Sequence, residues 1–125
     1  MRFTRSPGAA GEVRRFAHGW CVVHGRSAPL TSDVELIVSE LVSNAVRHSV
    51  GPYSLDLYQN HGVRRGEVCD GSTTAPRVNS APDESGGFGL SIVDACASRW
   101  GTNVTPTGKQ IWFEINIGPQ PDGDL

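Results

Sequence analysis

Glu40, Asn44 and His48 stand four residues apart. On a helix, where each residue turns about 100°, that spacing stacks them on one ridge. The ridge borders an apolar stripe, so its carboxylate and amide are positioned to face a cleft; the same residues also suit a solvated helix flank with i,i+4 contacts. Asp70, followed by Gly71, closes a β-patterned segment. A carboxylate there can accept a hydrogen bond from an exocyclic amine such as that of adenine, or it can simply start an Asp-Gly turn. Gly86-Gly87-Phe88-Gly89 opens an apolar helical pattern. Glycines at a helix start let backbone N–H groups approach a phosphate, and equally relax a loop. No Gly-Lys-Ser/Thr completes a Walker loop, Ile92 stands where a dinucleotide fingerprint needs its third glycine, and the protein-kinase lysine and His-Arg-Asp set is missing.

The elements that must carry these groups follow from periodicity. Arg2–Thr4 reads as a short strand. From Ala9 to Val23, Val13, Phe16, Ala17, Trp20 and Val23 recur every three or four residues, an amphipathic helix ending near Gly25. Ser27-Ala28-Pro29 reads as a connector. Val34, Ile37, Val38, Leu41, Val42, Ala45 and Val46 give the strongest helical period, with Ser32 and Glu35 as a capping box and Gly51-Pro52 as the stop. Tyr53–Tyr58 and Val63–Cys69 read as a hairpin. The polar stretch Ser72–Ser85 reads as a functional or mobile loop. A helix is expected from Phe88 to Gly101, with Arg99 in its last turn, and paired strands over Thr102–Thr105 and Gln110–Ile117. This order predicts an α+β two-layer sandwich: a mostly antiparallel mixed sheet covered on one face by three helices.

A chain of 125 residues suits one domain. Its formal net charge of −2 argues against a nucleic-acid groove that works by neutralising many phosphates. Cys21, Cys69 and Cys96 are odd in number and lack zinc spacing, so they read as small apolar fillers in a reducing compartment. A thiol hydrolase built on Cys69 or Cys96 lacks an obvious paired base in sequence. No apolar run approaches the roughly 20 residues of a membrane helix, and no signal-peptide core stands at the start. A cytoplasmic protein without membrane contact is the expectation.

Taken in order, the three groups of residues resemble the GHKL (histidine kinase-like) ATPases, the superfamily of gyrase-type ATPases, sensor histidine kinases and anti-sigma-factor kinases. Glu40-Leu41-Val42-Ser43-Asn44-Ala45-Val46-Arg47-His48 resembles the N box, Asp70-Gly71 the first glycine box, and Gly87-Phe88-Gly89-Leu90 the second. The resemblance runs from about Phe3 to Ile117, and implies an ATP-binding domain over 1–118 with a disordered tail over 119–125. It implies that Asn44 binds the Mg²⁺ that bridges the ATP phosphates, that Glu40 is the general base and that Asp70 reads the adenine amine. Gly87 and Gly89 bring a helix tip to the phosphates, and His48 contacts phosphate or caps its helix. Two positions depart from the pattern. Ser72-Thr73 follow Gly71 where larger relatives have a further glycine, and Gln110 stands where relatives commonly carry Thr. The second departure leaves an adenine-side or phosphate contact unassigned.

With neither a phosphorylatable helical hairpin nor a second ATPase domain, the chain is most similar to the anti-sigma serine/threonine kinases. Those enzymes phosphorylate an antagonist protein, bind a sigma factor and generally dimerise. The resemblance therefore implies an ATP-dependent protein kinase with those partners, a homodimer, and no direct nucleic-acid contact. The alternative is a non-catalytic module in which ATP orders the 72–85 lid and so creates a partner surface.

Overall fold

The computed structural model describes residues 1–25, 28–73 and 89–118. Its elements are β1 (Arg2–Phe3), α1 (Ala9–Val23), α2 (Ala28–His48), β2 (Tyr53–Asn60), β3 (Val63–Asp70), α3 (Gly89–Cys96), β4 (Arg99–Thr105) and β5 (Gly108–Asn116). The strands form one sheet in the order β1-β2-β3-β5-β4. Every pairing among them is antiparallel, so the mixed component expected of the sheet is absent from the described strands. The α+β sandwich itself is as expected.

Alternation along the strands decides which face the helices cover. In β3, Arg64, Gly66, Val68 and Asp70 are buried; in β5, Lys109, Ile111, Phe113 and Ile115 are. Register places them opposite one another in the pairs Arg64↔Ile115, Gly66↔Phe113, Val68↔Ile111 and Asp70↔Lys109. The Phe113 ring fills the space a Cβ on Gly66 would take, at 2.3 Å. Over this face lies α2, whose Val34, Ile37, Val38, Leu41, Val42 and Ala45 are buried, with α1 and α3 packed against it. Among the described residues, no helix is long and apolar enough to cross a membrane.

Two boundaries and one helix face differ from the sequence reading. First, α2 begins at Ala28, so Ser32 lies inside it and caps nothing. Pro29 falls in the first turn, where its missing N–H leaves no intrahelical bond unmade. Second, α1 buries Ala9, Val13, Ala17 and Cys21, while Phe16 and Val23 are exposed. Small residues every fourth position let α1 lie close to its neighbours. Third, α3 stops at Cys96, and Arg99 opens a strand instead of closing a helix. Seven residues of β4 pair with β5, and Trp100 donates from Nε1 to Asp94 Oδ1 at 2.8 Å. The spacing of Cys96, Ala97 and Trp100 suits either element; ladder hydrogen bonds with β5 decide it. Most of the expected 72–85 lid and the tail over 119–125 lie outside the described residues.

Candidate functional site

Asp70 is the last residue of β3 and faces the helices, only 6% exposed. Two glycines hold the backbone around it. A Cβ on Gly71 would meet the Gly51 carbonyl oxygen at 2.2 Å, because Gly71 N–H donates to the Val50 carbonyl at 2.6 Å. A Cβ on Gly108 would meet the Asp70 carbonyl oxygen at 2.4 Å. The first contact ties the end of β3 to the exit of α2, and the second brings the start of β5 against Asp70.

Lys109 therefore lies directly across from Asp70. Its Nζ is 2.9 Å from Asp70 Oδ2 and 3.1 Å from Oδ1, and 3.5 Å from the Ser49 hydroxyl. The Ser72 N–H donates to Asp70 Oδ1 at 2.8 Å. Burying a carboxylate is costly unless it is paired and hydrogen-bonded, and here both conditions hold. Gln110 faces the other way, its amide accepting from Asn103 Nδ2 at 3.2 Å. Position 109, not 110, thus supplies the group beside Asp70. The alternation of Ile111, Phe113 and Ile115 carries that signal in the sequence, since counting back by two reaches Lys109.

From the helical side, Asn44, His48 and Ser49 complete the wall. Ser49 is buried, and its carbonyl accepts from the Tyr53 hydroxyl at 3.2 Å and from the Arg5 guanidinium, which fixes the helix exit. Asn44 is half-buried, and His48 is exposed at the rim. Together with Asp70, Ser72 and Lys109 they line a pocket of about 210 Å³, floored by Leu41, Ala45, Val68 and Ile111. Sites that enclose a whole drug-sized ligand measure roughly 300–1,000 Å³. This one suits a flat ring system held between aliphatic side chains, with a carboxylate and an ammonium at its closed end.

The expected site residues thus divide. Asn44, His48 and Asp70 share one pocket. Glu40 does not line it; half-buried, it borders a separate depression with Arg14 and Ser39. Along α2, Glu40 precedes Asn44 by one turn, about 6 Å of rise. Gly89 is the first residue of α3, and Gly87 lies outside the described residues. Sequence reasoning missed Lys109 and Ser49. Elsewhere, Cys21 is buried in α1, and burial pushes its thiol up from the ordinary 9.0, against the lowering effect of Arg64. Such a thiol behaves as a core filler.

The sequence profile of the histidine kinase-like ATPase domain matches residues 3–115. The chain belongs to the histidine kinase-like ATPase family. It is an ATP-binding type of domain, and its fold is that of the family. A solved structure, the histidine kinase domain of the Erythrobacter litoralis EL346 blue-light activated histidine kinase, superposes with a TM-score of 0.56 at 16% sequence identity. The match covers 86% of this chain and 59% of that one, so the chain spans about three fifths of that structure's length. At that identity the likeness concerns the fold alone. No curated protein matches the sequence.

Proposed function

We propose that this domain binds Mg-ATP and transfers the γ-phosphoryl group to a serine or threonine of a partner protein, in the manner of an anti-sigma-factor kinase. The observation that carries the reading is the convergence of Asn44 and Asp70, 26 residues apart in sequence, on one base-sized pocket. Leu41, Ala45, Val68 and Ile111 would hold the adenine ring, and Asp70 would accept from its amino group. Asn44 and Glu40, farther back along α2, would serve the phosphate end. Asn44 fits a magnesium–phosphate assembly, because magnesium takes only one or two protein oxygens and fills its shell with phosphate and water. Bound there, the ion neutralises phosphate charge. His48 contacts the phosphates or caps α2. Gly87 and Gly89 bring the tip of α3 to the phosphates.

Glu40 acts one turn beyond Asn44, which accounts for its place outside the base pocket. It orients or deprotonates the incoming hydroxyl; the new P–O bond forms as the bond to the β-phosphate oxygen of departing ADP breaks, and the proton passes to the Glu40 carboxylate. The partners are an antagonist protein as phosphoacceptor and a sigma factor as the regulated target, with the domain acting as a cytoplasmic homodimer.

Calorimetric titration with ATP, with and without Mg²⁺, tests the binding half. A magnesium-dependent signal lost in Asn44→Ala is the expected result, and no binding of any adenine nucleotide overturns the reading. Incubation with labelled ATP and candidate antagonists tests transfer. Glu40→Ala should keep nucleotide binding but slow transfer at least about tenfold, or ~1.4 kcal/mol of barrier. Tight binding with no label on any partner serine or threonine would favour the non-catalytic module, for which the position of Glu40 beside Arg14 and Ser39, away from the pocket, is the supporting observation.

A further inference from the structure

We infer that Lys109 reads the base directly: its ammonium donates to adenine N1 while the Asp70 carboxylate accepts from the N6 amino group. The inference deepens the nucleotide reading above and rests on it. The two side chains sit side by side at the closed end of the pocket, 8% and 2% exposed, with Nζ and Oδ2 2.9 Å apart. A donor beside an acceptor is the complement of adjacent N1 and N6 on the Watson–Crick edge of adenine, the edge by which buried bases are read.

Both groups have capacity left for the base. A carboxylate offers about four acceptor positions, and the Asp70 contacts among the described residues are the Ser72 N–H and the Lys109 ammonium. An ammonium has three protons. Those of Lys109 face the two Asp70 oxygens and the Ser49 hydroxyl, the last at 3.5 Å, the outer limit of a hydrogen bond. Turning that third proton onto N1 exchanges a poor hydrogen bond for a good one and leaves the ion pair intact. The carboxylate is held ready by Lys109 before any base arrives, so Lys109 both positions Asp70 and adds the second contact that selects the ring.

A site built around a buried charged donor rejects a ligand that leaves the donor unmatched. Calorimetry with ATP, 1-deaza-ATP and GTP on the wild-type domain tests this without any mutation. In 1-deaza-ATP a C–H replaces N1, and N6 is unchanged. We expect it to bind at least about tenfold more weakly than ATP, with GTP weaker than ATP by a similar factor. Equal affinity for ATP and 1-deaza-ATP would overturn the role of Lys109, and GTP binding as tight as ATP would overturn the adenine edge assignment. Failure of all three to bind would instead remove the nucleotide reading beneath it. The double variant Asp70→Asn, Lys109→Met leaves no unpaired buried charge and keeps an amide oxygen for N6. In it, ATP and 1-deaza-ATP should bind within about twofold of each other. A persistent tenfold gap in that variant would show that discrimination lies elsewhere.

Discussion

Lys109 and Asp70 are buried where an unpaired charge costs several kcal/mol, so each depends on the other. Asp70→Ala should lower unfolding free energy in urea by about 3–5 kcal/mol, because it leaves the ammonium without its partner. Adding Lys109→Met to Asp70→Ala should recover most of that loss, since no charge is then left buried. If the single and double variants melt alike, the pair is not the source of the stability. At this scale the sequence was half-legible. Asp70 announced itself through the Asp-Gly pair at a strand end, whereas Lys109 was not among the residues singled out for chemistry. Alternation along β5 turns it inward, but its place beside Asp70 is set by the β3–β5 register, a relation between residues 39 apart.

Elements hold the site by close backbone contact and by cross-strand charge. Gly71 packs on the Gly51 carbonyl with no room for a methyl group. Gly71→Ala should therefore destabilise by about 1–3 kcal/mol, and by moving Asp70 it should also weaken ATP binding; unchanged chemical denaturation would contradict the clamp. On the outer sheet face, Glu114 of β5 joins Arg65 of β3 at 2.9 Å and Arg99 of β4, and the Arg65 guanidinium lies over Trp112 at 4.5 Å. Partial burial pushes the Glu114 carboxyl up, but the hydrogen bonds and charges of Arg65 and Arg99 outweigh it, and its pKa falls below the ordinary 4.5. A depressed folded-state pKa means that the cluster's contribution is full above pH 4.5 and is lost as pH falls through the folded value. Glu114→Gln should thus flatten the acid limb of the stability profile below about pH 4.5, as followed by circular dichroism; an unchanged limb would assign acid sensitivity to other carboxylates. The same strand explains a missed boundary. Arg99 suits a helix C-terminus by charge, but its carboxylate partner is on β5.

As a whole molecule, the domain is a small sheet whose pocket opens between the exit of α2 and the ends of β3 and β5. A ligand bound there bridges helix and sheet layers and should stabilise the native state by mass action. At ATP concentrations about 100 times Kd the gain is ~2.7 kcal/mol, on the order of 10 °C in Tm. Asn44→Ala should abolish the magnesium-dependent part of that shift in a thermal melt. A shift identical with and without Mg²⁺ would take Asn44 out of the metal site.

By itself the sequence determined the long helix, the hairpin, the two-layer class and the order of the three family motifs. The elements follow from hydrophobic period and short turn signals, which act over a few residues, and the fold they build is shared with a solved structure at 16% identity. Tertiary structure decided where α2 begins, where α3 yields to β4, and that Asn44 and Asp70 share a pocket from which Glu40 is set apart. It also decided that Lys109 stands beside the buried carboxylate. Strand register and helix-on-sheet packing are long-range relations, and their hydrogen-bond and burial energies override local propensity wherever the two disagree.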